Sequence, residues 1–569
     1  MTDPESAWRD SYRHPTRWDS VYPPQSMVDF FDDAATRNGK APLIDFLGRQ
    51  YSYAETLDGA NRVAAGLKAL GYGPGDRIGL FLPNVPHYCA AYYGILKLGA
   101  TVVNFSPLYT PAELEHQVAD SGTKLLFTLS ASALLPTALE VLDGSSLERL
   151  VVGSVAGALP ATKSVLYRLF KRSEVTKRPH DPRIMAFSEL IANEGVHPAA
   201  AIDPVNDVAL IQYTGGTTGT PKGAMLTHQN LSANARQVMG LDPHPNLHDR
   251  ILGVLPLFHV FANTCVLNRT VLNGGCIVML PRFEAGQVLA AIDRTKATAL
   301  PGVPTMYQAL LDHPKLAATD FSSLRVCISG GAPLPAELKA KFEAATGSAV
   351  VEGYGLSESS GVISANPYEG EGKSGTIGQP IPGTWVRLVD KGDPSQPPPE
   401  GEPGEIVAAG PQIMKGYWNR PDADGDVFVT DADGRIWLRT GDVGTIDSDG
   451  FIKIVDRLKD MIAVSGFKVF PSQIEAVLHH HPDVKEAMVI GLPDPYRGEQ
   501  PRAYVTLNDG ATATGEELRD WLNPQIGRHE RVDQVVIRLT MPKTMIGKLS
   551  RKDLVAEVMA EANSSPPRP

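Results

Sequence analysis

The stretch YTGGTTGTPKGAMLTH, Tyr213 to His228, decides the fold. The apolar run VALIQY leads into it and indicates a buried strand, and NLSANARQVMG follows it and indicates a helix. Glycine lets a backbone approach a ligand closely and adopt positive φ, so the N–H groups of this loop can surround an anion. Hydroxyls add donors and a lysine adds charge, and the loop therefore predicts a polyphosphate site. Its candidate binding residues are Thr214, Gly215, Gly216, Thr217, Thr218, Gly219, Thr220 and Lys222.

The loop is not a Walker A motif, which needs Gly-Lys-Ser/Thr in sequence. Here Lys222 lies between Pro221 and Gly223. A glycine- and threonine-rich turn without a ligand would explain a few of these residues, but not the whole run from Tyr213 to Gly223.

Composition excludes several classes of protein. A chain of 569 residues exceeds what one core usually holds, so we expect two or more domains. The net charge of −11 argues against general nucleic-acid binding. The N-terminus has no positive region followed by an apolar core, so we expect no signal peptide and a reduced, cytoplasmic location. The cysteines form no CxxC pair and indicate small buried hydrophobic residues: Cys89, Cys265, Cys276 and Cys327.

The order of apolar runs predicts the architecture. From 52 to 127 and from 207 to 351, short apolar runs alternate with amphipathic helical patterns, which indicates two α/β sheets. After about Gly375, short alternating strands separated by Gly and Pro turns indicate a small antiparallel β unit. The fold class is therefore α/β: a large N-terminal domain, 1–458, with two α/β sheet subdomains and a small β-barrel, and a small α+β C-terminal domain, 459–569.

One basic insertion, KSVLYRLFKRSEVTKRPHDPR, runs from Lys163 to Arg183. It has seven basic residues against two acidic ones, and four apolar residues would share one helix face. Such a segment can lie on an anionic membrane surface. The alternative is a surface helix whose apolar face packs on the protein.

Five further motifs carry residues suited to chemistry. EGYGLSES (352–359) nearly matches GxGxxG, but Glu358 replaces the last glycine, and its carboxylate would repel a pyrophosphate unless a cation intervened. The other motifs are RTGDVGTID (439–447), VDRLKDMIAVSGFKVFP (455–471), PKTMIGKLSR (542–551) and LPLFHVFA (255–262).

Together with the threonine loop, these motifs resemble the acyl-adenylate-forming enzymes over roughly Met27 to Val555. Within that family, three segments look most like bacterial long-chain fatty acyl-CoA synthetases: NFSPLYTPAELEHQVADSG (104–122), FSSLRVCISGGAPLP (321–335) and VEGYGLSESSGVISANPY (351–368).

The resemblance implies a role for each matching position. Lys548 and His259 would be catalytic, and Lys459 would be the hinge between the domains. Thr217 and Glu358 would bind Mg²⁺, which suits oxygen ligands beside substrate phosphates. The CoA side would be Ser465, Gly466, Phe467 and Lys468. Besides the loop and Lys548, ATP or AMP would contact Gly331, Ala332, Tyr354, Gly355, Leu356, Ser357, Asp442 and Arg457.

The implied reaction is ATP-dependent ligation of a medium-to-long-chain fatty acid to CoA through acyl-AMP. A ligase of dicarboxylic or aromatic acids is the main alternative. A luciferase shares the motifs, a peptide-synthetase adenylation module needs a carrier domain, and an acyl-AMP ligase carries an insertion that we do not find between Asp442 and Lys468. A non-catalytic acyl-nucleotide-binding protein could lose Lys548, Glu358 or Asp442, which are all present. The resemblance also leaves open a homodimer and peripheral contact with the inner face of a membrane.

Overall fold

Two mainly parallel sheets form the larger part of the molecule. The structure is a computed structural model, which describes residues 9–214, 221–465, 467–544 and 549–564. The first sheet has eight strands within the described residues. From one edge to the other they are Gly416–Tyr417, Gly223–Thr227, Val208–Tyr213, Thr101–Asn104, Arg77–Leu80, Leu125–Leu129, Arg149–Gly153 and Ile184–Ala186.

The second sheet has nine described strands and packs beside the first around one continuous core. In spatial order they are Gln379–Pro380, Ser364–Ala365, Ala349–Tyr354, Val326–Ser329, Ala299–Gly302, Arg250–Gly253, Cys276–Met279, Pro42–Phe46 and Arg49–Ser52. Most neighbours in both sheets are parallel, as the alternation of strands and helices predicts.

The helices of these two layers follow the predicted order. They are Met27–Asn38, Tyr53–Ala69, Pro86–Lys97, Pro111–Ser121, Leu135–Gly144, Val155–Ala158, Ala161–Phe170, Phe187–Leu190, His228–Met239, Val260–Ala262, Arg269–Asn273, Ala285–Thr295, Pro304–Leu311 and Ala336–Thr346. A π-helix, Asn263–Asn268, separates Val260–Ala262 from Arg269–Asn273. The longest apolar stretch of the sequence, Val85–Val103, forms the Pro86–Lys97 helix and most of the Thr101–Asn104 strand. No helix in the described residues has the length and apolar character needed to cross a membrane.

The third sheet is the small antiparallel β unit that the sequence predicts. Its strands are Trp385–Val389, Gly404–Ala409, Phe428–Thr430, Ile436–Ile446 and Ile452–Arg457, with a helix at Pro421–Val427. The fourth sheet forms the α+β unit with strands Ile462–Val464, Phe467–Val469, Val484–Asp494, Gly498–Leu507 and Val535–Ile537. Its helices are Pro471–Leu478, Gly515–Leu522 and Arg551–Ser564, and it has its own core. The 3-10 turn Leu458–Asp460 connects these two sheets, where the sequence predicts the domain boundary.

The N-terminal segment contacts a strand of the second sheet that lies far from it in the sequence. The Arg13 N–H donates to Gln379 Oε1 over 2.9 Å, and the Tyr12 hydroxyl donates to the Pro380 carbonyl over 2.9 Å. The Gly383 N–H donates to the Trp18 carbonyl over 2.7 Å. The segment therefore fastens the outer strand Gln379–Pro380 to the body of the protein.

The helix predicted after the threonine stretch is confirmed as His228–Met239. Before this helix lies the antiparallel strand Gly223–Thr227, which the sequence analysis missed and which pairs with Val208–Tyr213. In the basic insertion, the helix Ala161–Phe170 has no buried residue, so the packed-face alternative is wrong. As expected, all four cysteines are free and buried.

Candidate active site

The threonine loop is held at its two ends by a β-hairpin. Tyr213 pairs with Gly223 in the antiparallel ladder, and the Thr214 N–H donates to the Lys222 carbonyl over 2.9 Å. The Tyr213 hydroxyl also donates to Asp120 Oδ2 over 2.6 Å. Gly215 to Thr220, including the predicted metal ligand Thr217, lie outside the described residues. The hairpin fixes where this loop leaves and re-enters the first sheet.

Three of the predicted ATP or AMP contacts lie at the carboxyl ends of neighbouring parallel strands, where open α/β sheets bind ligands. Gly331 and Ala332 follow the strand Val326–Ser329, and Tyr354 ends the adjacent strand Ala349–Tyr354. Gly331 has φ of +77°, a conformation that glycine adopts without strain. The two segments that the resemblance assigns to ATP or AMP are therefore neighbours.

The turn after Tyr354 needs glycine because two backbone segments cross there. A Cβ on Gly355 would lie 2.2 Å from the Gly361 carbonyl oxygen, closer than side chains tolerate. The Leu356 N–H donates to Ser359 Oγ over 3.0 Å, which closes the 3-10 turn Ser357–Ser359. This turn carries Glu358 and contacts the strand Gly223–Thr227, which follows the threonine loop.

Asp442 brings together three motifs that are distant in sequence. Its buried carboxylate accepts a hydrogen bond from the Tyr354 hydroxyl, and Arg457 Nε lies 3.0 Å from its Oδ1. Asp442 and Arg457 also face each other on paired antiparallel strands. The negative charge of Asp442 raises the pKa of Arg457, and burial, together with Asp442, raises the pKa of Tyr354. Both partners therefore keep their protons and remain donors.

Glu405 is a residue that the sequence analysis missed. It is buried, accepts from Arg439 Nε over 2.9 Å, and accepts the Gly441 N–H on its Oε1 over 3.1 Å. These contacts hold the turn that precedes Asp442. The signal was an acidic residue within the apolar strand GEIVAAG, because buried carboxylates are rare unless they are paired.

Glu358 has the surroundings that a magnesium ligand needs. Tyr417 donates its hydroxyl to Glu358 Oε1 over 2.7 Å and is the one hydrogen-bond partner of this carboxylate among the residues that the structure describes. A cavity of about 240 Å³ lies beside it and is also lined by Thr440, Gly441 and Leu458. No cluster of three metal-ligating side chains occurs in the described residues. A single carboxylate suits Mg²⁺, which is bound by one or two carboxylates plus substrate phosphates.

His259 caps the short helix Val260–Ala262 through its own side chain. The Phe261 N–H donates to His259 Nδ1 over 3.3 Å. Phe261 in turn lies against Gly330, where a Cβ would come within 3.0 Å of the ring. The segment that carries His259 therefore contacts the end of the strand before Gly331. The structure shows a helix-capping contact for His259, and its catalytic role stays a prediction.

The C-terminal motifs are only partly described. Burial and the neighbouring Arg457 lower the pKa of Lys459, which lies in the Leu458–Asp460 turn. Ser465 has φ of +52° and donates its N–H to the Arg497 carbonyl over 2.7 Å. Gly466 and Lys548 lie outside the described residues, and only the backbone of Phe467 and Lys468 is described, in the strand Phe467–Val469.

Arg551, three residues after Lys548, anchors the C-terminal motif to the turn at the predicted hinge. It donates to Asp460 over 2.7 Å and to Glu475. The segment with Lys548 is therefore tied at its far end to the residue that follows Lys459.

This fold and this arrangement of motifs define the class of protein: the chain belongs to the AMP-binding enzyme family. The family's model matches residues 31–418, and the model of the AMP-binding enzyme C-terminal domain matches residues 473–548.

Particular relatives extend over nearly the whole chain. The long-chain-fatty-acid–CoA ligase of Bacillus subtilis (strain 168) is 38% identical over 557 residues, which is 97% of this chain and 98% of that protein. A feruloyl-CoA synthase of an Amycolatopsis species is 36% identical and covers 89% of this chain and 94% of its own length. The ATP-bound structure of MatB from Rhodopseudomonas palustris superposes with a TM-score of 0.81 at 27% identity, covering 95% of this chain and 100% of that one.

Proposed function

We propose that this protein is an AMP-forming fatty acid–CoA ligase that activates medium-to-long-chain carboxylates with ATP. The proposal rests on one observation: Tyr354 and Arg457 both contact the carboxylate of Asp442. These three residues come from three nucleotide-binding motifs, which the fold brings together. The near full-length similarity to a long-chain-fatty-acid–CoA ligase supports the fatty substrate.

In the first half-reaction, the fatty carboxylate attacks the α-phosphorus of ATP and forms acyl-AMP, with pyrophosphate as the leaving group. An anion approaches a polyanion, so the residues must reduce charge repulsion. Tyr354 and the Gly331 turn would hold the adenine, while Asp442 would accept the ribose hydroxyls. Lys222, Arg457 and Lys548 would face the phosphates, where such electrostatic groups are worth about 10²–10³ in rate each. Mg²⁺ bound to Glu358 and Thr217 would neutralise phosphate charge.

In the second half-reaction, the CoA thiol attacks the acyl carbonyl and releases AMP. Lys548 is not needed for this step, so we infer that residues 459–569 turn about Lys459 and present the Ser465–Lys468 strand side to the acyl-AMP. The two functions of the small domain would account for its two separated motifs.

Lys548→Ala tests this division of labour. We expect ATP–pyrophosphate exchange to fall by about 10²-fold or more. Thioester formation from supplied acyl-AMP and CoA should fall much less, because the lysine acts on the phosphates. Lys552→Ala is a matched control, since it removes a lysine four residues away. Equal loss in both half-reactions would contradict the split role.

A panel of acids tests the substrate class. Each buried CH₂ group of the substrate contributes about 0.8 kcal/mol of transfer free energy to binding. We therefore expect kcat/KM to rise steeply with chain length until the site is full. The feruloyl-CoA synthase relative makes an aromatic acid the necessary competitor in this panel. A preference for ferulate, benzoate or acetate, or a flat profile, would refute the fatty acid assignment.

We also propose that the basic insertion contacts an anionic membrane. Four apolar side chains of the helix Ala161–Phe170 are more than half exposed, with Phe170 at 77%: Val165, Leu166, Leu169 and Phe170. Three basic residues in the segment are paired with acids within the protein: Lys171, Arg178 and Arg183. The remaining basic residues have no acidic partner among the described residues: Lys163 and Arg168 in the helix, and Arg172 and Lys177 after it.

Vesicle sedimentation tests the membrane contact. Replacing four basic residues with glutamine should abolish binding to vesicles rich in phosphatidylserine: Lys163, Arg168, Arg172 and Lys177. Each surface cation contributes about 1 kcal/mol to binding near such a membrane. The control replaces Lys171 and Arg178 with glutamine. Both residues already pair with acidic side chains, so this change should weaken vesicle binding less. Salt should weaken wild-type binding, and wild type that never sediments would refute the contact. A homodimer stays a prediction that sedimentation velocity can check.

A further inference from the structure

The segment Met414–Trp418 forms a bridge between the Glu358 turn and the end of the threonine loop. The Met414 N–H donates to the Glu358 carbonyl over 2.8 Å. Farther along, the Trp418 N–H donates to the Gly223 carbonyl over 2.8 Å, and Gly416–Tyr417 pairs with Met225 and Ala224. One short strand therefore contacts the two segments that the proposed function assigns to metal and phosphate.

The side chain of Tyr417 connects the same two segments a second time. Its hydroxyl donates to Glu358 Oε1 over 2.7 Å, and Lys222 Nζ lies 5.0 Å from the centre of its ring. The phenol is buried. A phenol carries its proton at neutral pH, so the hydroxyl is a donor to the carboxylate.

The backbone of Tyr417 is held in place by Asp424. Asp424 Oδ1 accepts the Tyr417 N–H over 2.7 Å. Gly416 has φ of +146°, and a Cβ there would lie 2.7 Å from Asp424 Oδ2, so only glycine lets the aspartate approach this closely. The strand and this contact together leave the hydroxyl little freedom to move away from Glu358.

We propose that Tyr417 is a positioning residue for the metal–phosphate site. By donating to Oε1, it would orient the carboxylate and leave Oε2 of Glu358 as the oxygen without a protein donor, available to Mg²⁺. By placing its ring under Lys222, it also fixes the distance between that cation and the metal carboxylate. The inference rests on the proposed function, since Glu358 must be the Mg²⁺ ligand for the positioning to matter.

The geometry distinguishes this role from simple structural support. A tyrosine that only stabilises the fold would affect ATP binding equally with and without metal. A tyrosine that orients the metal carboxylate should affect only the metal-dependent part. Partners that orient metal ligands typically contribute 10- to 100-fold to metal affinity or activity.

The test is ATP binding by calorimetry in the absence of fatty acid, with excess Mg²⁺ and separately with EDTA. For Tyr417→Phe we expect ATP affinity in Mg²⁺ to fall about 10-fold or more, while affinity in EDTA stays near wild type. Phenylalanine keeps the ring beside Lys222 and removes only the hydroxyl. Tyr51→Phe is the matched control, because that half-buried hydroxyl donates to the Ala158 carbonyl over 2.8 Å, away from the site.

Two further variants complete the test. In a Glu358→Gln background, Tyr417→Phe should cause no additional loss of Mg²⁺-dependent affinity, because the carboxylate it orients is absent. Tyr417→Leu should also weaken binding in EDTA, because Lys222 loses the ring. Equal losses with and without metal in Tyr417→Phe, or a full additional loss in the Glu358→Gln background, would overturn the proposal. Mg²⁺-dependent ATP binding without fatty acyl-CoA formation would instead refute the fatty acid assignment and leave the role of Tyr417 intact.

Discussion

Glu352 is a half-buried carboxyl group at the start of the EGYGLSES motif. Its Oε1 accepts the Leu334 N–H over 3.1 Å, and burial raises the pKa of this side chain from 4.5 to about 7. The folded protein therefore holds a proton here that the unfolded chain has already released. At the residue scale this makes Glu352 a source of pH-dependent stability.

Glu352→Gln should change how stability depends on pH. Because the folded state binds more protons, the contribution of Glu352 to stability is present below about pH 4.5 and decreases as the pH rises to about 7. Glutamine keeps the acceptor for Leu334 but cannot ionise. The melting temperature of wild type should therefore fall relative to that of the variant across this range, and parallel curves would contradict the shifted pKa.

At the scale of helices and strands, one helix requires a glycine for close packing, whereas another helix has room for a side chain at its glycine. Gly66, in Tyr53–Ala69, has no room for a side chain, because a Cβ would lie 2.3 Å from the Leu190 carbonyl oxygen. Gly425, in Pro421–Val427, has no atom within 4 Å of its Cβ position. Close packing rather than helix propensity requires the first glycine.

Gly66→Ala should lower the free energy of unfolding by about 1–3 kcal/mol, since overpacking forces the backbone apart. Gly425→Ala should raise it by about 0.5–1 kcal/mol, because alanine favours the helix. Chemical denaturation of both variants gives the comparison. A stabilising Gly66→Ala would show that Leu190 can move aside at little cost.

The accuracy of sequence prediction also differs with the kind of element. Buried parallel strands were predictable because they are short continuous apolar runs, and the nucleotide motifs were predictable because their order along the chain is specific. Strand Gly223–Thr227 was missed because its Ala, Met and Leu residues also suit a helix. Tyr417 was missed because its hydrogen bond to Glu358 spans 59 positions and leaves no local pattern.

At the scale of the whole molecule, the predicted turn of the small domain must be absorbed near Lys459. The 3-10 turn Leu458–Asp460 leaves few residues between the strand ending at Arg457 and the strand beginning at Ile462. Arg551 holds Asp460 to the small domain, so the rotation would be concentrated just before Asp460.

Lys459→Pro should therefore separate the two half-reactions. Proline fixes φ near −65° and restricts Leu458 before it. We expect ATP–pyrophosphate exchange to stay within about tenfold of wild type, with a much larger loss of thioester production. Lys459→Ala controls for the lost charge. Parallel loss of both activities with a lowered melting temperature would indicate a destabilised small domain, and normal thioester production would exclude a hinge at this position.

The contact of Tyr12, Arg13 and Trp18 with the Gln379–Gly383 region has a consequence for synthesis on the ribosome. These first residues leave the exit tunnel long before their partners exist, and at 5–20 residues per second the delay is roughly 20–70 s. Strand Pro42–Phe46 likewise waits for Cys276–Met279, its parallel neighbour. The nascent chain must therefore keep this N-terminal segment without its native partners until the Gln379–Gly383 region has been synthesised.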